Sequence, residues 1–375
     1  MTSAFVASDL SAAGPVDSEL EARLIAWIRE RGSLLVGFSG GVDSAYLACV
    51  ALDTLGRERV LAVIGRSASY PEEQWQRARR VADQFALPVL EVSTDEVNDP
   101  RYAANPSNRC YFCKTELWET LVPIARERGF AVVVDGTNAD DRGYHRPGAV
   151  AATEHGVRSP LAELGFRKDS IRRLSQARGI PTWSQPASPC LSSRVPYGIA
   201  VTTNRLRQIE RAERAMRDLG IDGDLRVRYH EDLARVELLS ERVAHWLESD
   251  NRHAMHAALR SAGFDRVAID ARGFRSGSLN VLGGVVAEPL IRARSSPTEG
   301  DPNGLTRAIG ALGIACGVES RSRLAIVRCA GEADIAELRE RSLRDALVHA
   351  ARGQGFTHVA IDLETARDDA TVRRD

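Results

Sequence analysis

Lysine is nearly missing from this chain of 375 residues: of its 50 cationic residues only Lys114 and Lys168 are lysines, and the rest are arginines. Aromatic residues are also few, at 6%, and no excess of either charge exists, the 50 cations facing 51 anions. Without a dominant positive field, charge offers no footing for a nucleic-acid or polyanion binder. No apolar run approaches the ~20 residues of a membrane span. Met1–Asp17 has no basic stretch followed by an apolar one, so it does not read as a secretory signal. Its Ser, Ala, Gly and Pro content reads instead as a disordered leader over residues 1–17. Six cysteines in a chain this long do not make a disulfide scaffold, and the CxxC pair among them fits metal or redox chemistry in a cytoplasmic protein. The remaining composition, 27% charged and 43% hydrophobic, is that of a soluble protein of two or three domains.

From Leu34 to Asp135 short apolar runs alternate with amphipathic stretches. Leu34–Phe38, Arg59–Ile64, Val89–Val92 and Ala131–Val134 read as buried strands, with helices predicted over Ser44–Leu55, Glu72–Leu87 and Lys114–Arg128. Wholly apolar strands separated by helices predict an α/β fold with a doubly wound parallel sheet. Asn98–Arg109 reads as a loop, and Gly- and Pro-rich turns follow Asp135 through Ser159. Further helices are predicted over Lys168–Arg178, Thr202–Leu219 and Val243–Ser261, with strands at Leu225–Tyr229, Leu233–Leu238 and Val267–Asp270.

The C-terminal part repeats itself. GFDRVAID at 263–270 aligns with GFTHVAID at 355–362, LARVEL at 233–238 with LAIVRC at 324–329, and RDLGI at 217–221 with GALGI at 310–314. A nearly constant offset between blocks, 91 to 93 residues, marks a duplicated unit. The second copy lacks counterparts of RVRYH (226–230) and RGFRSGSLN (272–280), so it is expected to be degenerate. The expected organisation is a leader at 1–17, an α/β domain at 18–200, a small α+β domain at 201–294, and its degenerate copy at 305–375.

SGGVDS at 39–44 follows the first strand and opens the first helix. Gly40 and Gly41 allow a tight turn and close backbone approach. The helix N-terminus presents N–H groups and a positive dipole end to an anion. Ser39 and Ser44 add hydroxyls, and Asp43 can orient them or hold Mg²⁺. An ordinary glycine-rich turn is the plain alternative. At the carboxyl ends of later strands stand Ser67 and Ser69, and the run Asp135, Gly136, Thr137 and Asn138; ligands of doubly wound sheets bind there. Asp140 and Asp141 are expected to face the substrate or Mg²⁺, while His145 and His155 have no assignment. Arg226 and Arg228 alternate in LRVRY and project to one strand face, where two guanidiniums suit a phosphate or a pair of carboxylates. A solvated strand face is the alternative there. Ser193 and Arg194 are placed to bind the same anion.

SGGVDS resembles the PP-loop of the N-type ATP pyrophosphatases. Together with AVIGRSASYP (62–71), NRCYFCK (108–114), DGTNADDRGYHRPG (135–148), RSPLAELGFRKDSIRRLSQARGIPTWSQPASPCLSSRVPYG (158–198) and RSGSLN (275–280), it resembles the LarE-type sulfur transferases of nickel-pincer cofactor biosynthesis. The resemblance covers about residues 20–285 and implies a PP-loop ATP pyrophosphatase domain carrying the nucleotide on Ser39, Gly40, Gly41, Asp43, Ser44, Ser67, Gly136, Thr137 and Asn138. It implies ATP with Mg²⁺ as cofactors, and adenylation of the carboxylates of pyridinium-3,5-biscarboxylic acid mononucleotide followed by conversion to thiocarboxylates. Ser193, Arg194, Glu213, Arg226 and Arg228 would bind that substrate. Cys190 stands at the family's sulfur-handling position. With Cys110 and Cys113 it would hold a [4Fe–4S] cluster with one open iron; a structural zinc site or a redox pair are the other readings of the CxxC. Cys49, Cys316 and Cys329 read as core or incidental. The resemblance also implies a cytoplasmic homo-oligomer that works with other enzymes of the same cofactor pathway and binds neither nucleic acid nor membrane. A tRNA thiolase, an ammonia-using synthetase and a non-catalytic nucleotide-binding protein remain as alternatives.

Overall fold

The computed structural model describes residues 15–141, 147–186, 188–282 and 300–366. Residues 1–14 of the expected leader, His145 and its neighbours at 142–146, and residues 283–299 lie outside the described residues. Residues 15–17, expected as part of the disordered leader, instead open the first helix, because Asp17 is buried and ion-paired with Arg173 at 2.7 Å. The chain forms two compact units that part after Cys190.

The first unit runs α1 (Pro15–Arg31), β1 (Leu34–Gly37), α2 (Val42–Leu55), β2 (Val60–Arg66), α3 (Glu72–Gln84), β3 (Val89–Ser93), α4 (Pro100–Ala103), α5 (Arg109–Glu127), β4 (Val132–Val134), α6 (Pro147–Glu154), α7 (Pro160–Leu164) and α8 (Lys168–Ala177). Its four strands are parallel in the order β3-β2-β1-β4. Strand alternation divides the core in two. Leu34 and Val36 join Leu24, Ile28, Tyr46 and Leu47 on one side, while Leu35 joins Trp118, Leu121 and Val133 on the other. That is the doubly wound α/β arrangement the apolar runs predicted.

Three local differences from the sequence reading matter. The expected loop at 98–109 contains α4, which Asp99 caps by accepting from Arg101 N at 2.8 Å. The expected turns before Ser159 contain α6, and α7 follows at once. All three short helices begin with proline, which breaks a helix interior but suits its first position, so a turn reading missed them. Finally, α5 starts at Arg109 rather than Lys114, which puts both CxxC thiols in its first turns.

The second unit runs α9 (Thr203–Asp218), β5 (Leu225–His230), β6 (Leu233–Leu238), α10 (Val243–Trp246), α11 (Ser249–Ser261), β7 (Arg266–Asp270), α12 (Ser278–Leu282), α13 (Pro302–Gly310), β8 (Cys316–Arg321), β9 (Leu324–Cys329), α14 (Glu332–Glu337), α15 (Arg341–Gly353) and β10 (His358–Asp362). The single helix expected over Val243–Ser261 is two, because Glu248 leaves helical geometry (φ -64, ψ 143).

Both copies of the repeat contribute to one six-stranded sheet in the order β5-β6-β7-β10-β9-β8. In each copy a hairpin is followed by a parallel strand: β5-β6 then β7, and β8-β9 then β10. An antiparallel β7–β10 pair joins them, with Ala360 opposite Asp270 and Asp362 opposite Ala268. The sheet therefore has an approximate two-fold axis through its centre. The strand ends match as well: Asp270 Oδ1 accepts from Arg272 N at 3.0 Å, and Asp362 Oδ1 from Glu364 N at 3.1 Å.

Candidate active site

Residues 39–41 turn the chain from β1 into α2. Gly40 has φ +69, and a Cβ there would lie 2.6 Å from Ala78 Cβ, so glycine at 40 is required by α3 as well as by the turn. Gly41 meets nothing closer than Ser39 Oγ at 3.5 Å and is the more open of the two. The loop is held from within and from behind. Ser44 Oγ donates to Gly41 O and accepts from Ser39 N, each at 3.2 Å. Tyr70 Oη and Gln74 Nε2 donate to Ser39 O at 2.9 and 3.0 Å. No side chain caps the N-terminus of α2, leaving its first-turn N–H groups and dipole for an anion.

Asp43 lies at the centre of this end of the sheet. Its Oδ2 is 2.5 Å from Lys168 Nζ, and its Oδ1 accepts from Asn138 Nδ2 at 3.3 Å. Sequence reasoning gave Lys168 no role, although it lies within the block 158–198 and is one of only two lysines in the chain. Gly136 is a close-approach position, since a Cβ there would stand 2.7 Å from Ser44 N. Asp135 shapes the same loop, accepting from Thr137 N, Thr137 Oγ1 and Ser159 Oγ at 3.1, 2.9 and 2.7 Å. Asp140 Oδ2 accepts from Lys168 N at 2.8 Å, and Asp141 Oδ2 from Asn138 N at 3.2 Å. Ser67 and Ser69 each donate to buried Glu96 Oε1 at 2.6 Å.

Cys110 is exposed, whereas Cys113 and Cys190 are partly covered. Burial pushes the Cys113 thiol well above its usual range, and Glu96, Cys190 and Cys110 act in the same direction, so the three family thiols share one electrostatic neighbourhood. Among the described residues no three His, Cys, Asp or Glu side chains are arranged to hold a metal ion. Cys49 is packed in the core of α2, and Cys316 stands opposite Cys329 in the β8–β9 ladder.

In the second unit, strand register gathers the substrate candidates. Arg226 pairs with Glu237 and Arg228 with Arg235 across β5–β6, so all four share a face. Arg228 is ion-paired with Glu237 at 2.6 Å and donates to Ser193 O at 2.9 Å. Arg235, fully buried, reaches Asp270 at 2.6 Å, and Arg275 reaches the other oxygen of Asp270 at 2.9 Å. Ser278 Oγ donates to Glu237 Oε1 at 2.5 Å. Arg194 grips Glu213 with two bonds of 3.0 Å, and Glu213 also accepts from Val227 N at 3.0 Å, fixing this carboxylate against β5. Arg226 lies 5.1 Å over the Phe274 ring, and burial together with Arg194 pushes its pKa down to about 10. Arg194, Arg226, Arg228, Arg235 and Arg275 outnumber Glu213, Glu237 and Asp270, which leaves surplus buried positive charge suited to an anion.

The NAD synthase family profile matches residues 19–107. An uncharacterised protein of Synechocystis sp. is 42% identical over 265 residues, which are 71% of this chain and 98% of that protein. The pyridinium-3,5-bisthiocarboxylic acid mononucleotide synthase of Lactiplantibacillus plantarum is 36% identical over 260 residues, covering 69% of this chain and 93% of the synthase. The chain belongs to this synthase family. Family membership thus covers nearly the whole relative but leaves more than a quarter of the present family member unmatched. Among solved structures, an NMN synthetase from Francisella tularensis superposes with a TM-score of 0.38 and 17% identity over 46% of this chain and 75% of that one, too low to add to the assignment. As a member of the family, the chain is an ATP-dependent sulfur transferase.

Proposed function

We propose that this protein adenylates the carboxylates of pyridinium-3,5-biscarboxylic acid mononucleotide and converts them to thiocarboxylates for the nickel-pincer cofactor of lactate racemase. A carboxylate is a poor electrophile until its oxygen joins a good leaving group. The carboxylate oxygen attacks the α-phosphorus of ATP, pyrophosphate leaves, and an acyl-adenylate forms. Sulfur then attacks the acyl carbon and AMP departs. The α2 N-terminus and Lys168 are suited to the departing pyrophosphate, with Asp43 and Asn138 holding the lysine in place. Arginines 194, 226 and 228 are suited to the phosphate and carboxylates of the mononucleotide.

The observation that carries this reading is the 36% identity to the pyridinium-3,5-bisthiocarboxylic acid mononucleotide synthase over 93% of that protein; Cys110, Cys113 and Cys190, which an ammonia-using synthetase does not need, agree with it. If Cys190 surrenders its own sulfur, its thiolate forms a thioester; loss of the Cα proton then breaks Cβ–S and leaves dehydroalanine, with no oxidant required. Three thiolates are also the donor set of a [4Fe–4S] cluster with one open iron, which would supply a bound sulfide and allow repeated turnover. Among the described residues these thiols are not arranged as a set of three that could hold a metal ion. A cytoplasmic location belongs to the same reading. No helix among the described residues is long and apolar enough to cross a membrane. The function also calls for Mg²⁺ with the ATP, for other enzymes of the same cofactor pathway, and for assembly as a homo-oligomer.

ATP–pyrophosphate exchange dependent on the mononucleotide tests the adenylation step; its absence would sink the enzymatic reading. Lys168→Met is expected to lower exchange by about a hundredfold. Iron and acid-labile sulfide are then measured in protein purified without oxygen. Near four irons per chain, lost in Cys110→Ala/Cys113→Ala, favours the cluster. Zinc makes the cysteines structural, and no metal leaves Cys190 as the sacrificial donor.

A further inference from the structure

The face of the second unit's sheet that carries the arginine cluster continues into the second copy, where its chemistry changes. Arg226, Arg228, Arg235 and Arg272 have Gly317, Glu319, Ile326 and Glu364 in the equivalent places. Asp270 is kept, as Asp362. The second copy has therefore retained the frame and lost every one of those cations.

It still reaches into the first copy. Ala271 N donates to Val359 O at 3.0 Å, extending the β7–β10 ladder and setting His358 across from Arg272. Strand alternation turns His358 to the face that carries Asp270. The imidazole is 3% exposed; its Nδ1 is 2.9 Å from Thr357 Oγ1, and its buried Nε2 has no hydrogen-bond partner among the described residues. Arg235, Arg275, Glu237 and Arg272 surround it, and burial with those arginines keeps the ring neutral. The symmetry-related position holds Arg266, which crosses the other way to Asp362 at 2.8 Å. The first residue of each last strand thus faces the other copy: Arg266 reaches Asp362, whereas His358 lies among the arginines around the first copy's cluster.

We propose that the second copy is an internal partner for the first: it closes the edge of β7 and supplies His358 as a positioning residue behind Arg235 and Arg275, so that the anion-binding cluster is complete only when both copies are present. The ligand class is the phosphate- and carboxylate-bearing mononucleotide, and in that respect the inference rests on the function proposed above. The relatives from Synechocystis and Lactiplantibacillus are covered almost to their full length by about 70% of this chain, and the motifs that carry the family resemblance end near residue 285. This chain then carries as a built-in domain what a shorter protein has to do without or obtain from elsewhere.

The test uses the full-length chain with His358→Ala and His358→Gln, the latter keeping a hydrogen-bonding group near Nε2. Calorimetry reads the affinity for the mononucleotide, for inorganic phosphate as a minimal probe, and for ATP. His358→Ala is expected to weaken the mononucleotide and phosphate by about tenfold, because a buried polar ring beside Arg235, Arg272 and Arg275 is lost, while ATP affinity stays unchanged and His358→Gln, which refills the space with a polar group, recovers most of the loss. Equal anion affinity in wild type and His358→Ala overturns the proposal. So does a His358→Gln protein as impaired as His358→Ala, because that pattern reports packing damage. A wild-type protein that binds phosphate but not the mononucleotide removes the substrate reading and leaves the phosphate arm to judge His358. Wild-type binding of neither overturns both.

Discussion

The two copies in the second unit share strand order, register and even the aspartate that ends their last strand, yet they carry opposite electrostatics. In the first, guanidiniums crowd a buried face: Arg228 and Arg235 are locked to Glu237 and Asp270, and neither carboxylate is exposed to water. In the second, Asp362 is equally buried, but Glu319 stands in the place of Arg228, pairs with Arg266 and Arg321 at 2.5 and 2.7 Å and keeps 42% of its side chain exposed. Duplication preserved what the backbone needs and released the charged cluster. Apolar strands and one shared ladder suffice for the frame, whereas buried surplus charge is costly and persists only where something uses it.

The largest expected difference comes from truncating equivalent β-hairpin residues. Arg228→Ala leaves Glu237 buried with one partner fewer, and should cost about 3–5 kcal/mol in a urea titration together with mononucleotide binding. Glu319→Ala, at the equivalent place in the second copy, should cost less than about 1 kcal/mol. Similar losses at both positions would break the distinction.

An intermediate effect is expected on acidification. Burial acts to raise the pKa of Glu213, Glu237 and Asp270, yet their arginine partners outweigh it and hold all three below the ordinary carboxylate range. The folded state therefore binds protons less readily than the unfolded chain. Its stability is fully present above the unfolded values of 4.5 and 3.8 and is lost as pH falls through the depressed folded values. Chemical denaturation should show a plateau from neutral pH down to about pH 5 and a decline below it. Because these pairs are buried, the decline should persist in 0.5 M salt, roughly past the point where exposed pairs such as Arg321–Asp232 are screened. A decline abolished by salt would assign it to the second copy's exposed pairs instead.

The smallest effect should be the same in both copies. Thr202 Oγ1 accepts from Arg205 N at 3.3 Å and Asp301 Oδ1 from Gly304 N at 2.9 Å, capping α9 and α13 respectively. Thr202→Ala and Asp301→Ala should each lower stability by about 1 kcal/mol, read from thermal unfolding. Here a large asymmetry would show that the frame is not shared equally.

Much of this arrangement was legible in advance, and the exceptions have physical causes. The parallel sheet of the first unit announces itself because strands buried on both faces leave uninterrupted apolar runs such as Leu34–Val36 and Val132–Val134. The turn at Ser39–Ser44 is readable because glycine, serine and aspartate fall at one strand–helix junction. Lys168 is not readable, since its approach to Asp43 spans 125 residues and depends on where α8 begins. The duplication is plain in the letters, but the letters do not say whether the copies stand apart or pair through β7 and β10. That pairing rests on an antiparallel register between Ala268–Asp270 and Ala360–Asp362, and with it goes the contribution of His358.

One consequence of that central ladder concerns the order of events during synthesis. Strand β7 is complete at Asp270, yet its neighbour β10 is the last strand to be made, some ninety positions later. Pairing over so long a separation must wait on loop closure, which slows folding. Until His358–Asp362 arrives, β7 presents an open strand edge carrying apolar residues, the kind of surface through which nascent chains stick to one another. The half of the sheet expected to bind substrate is thus made first and finished last, and any delay at the C-terminal end lengthens the interval in which the protein is most prone to aggregate.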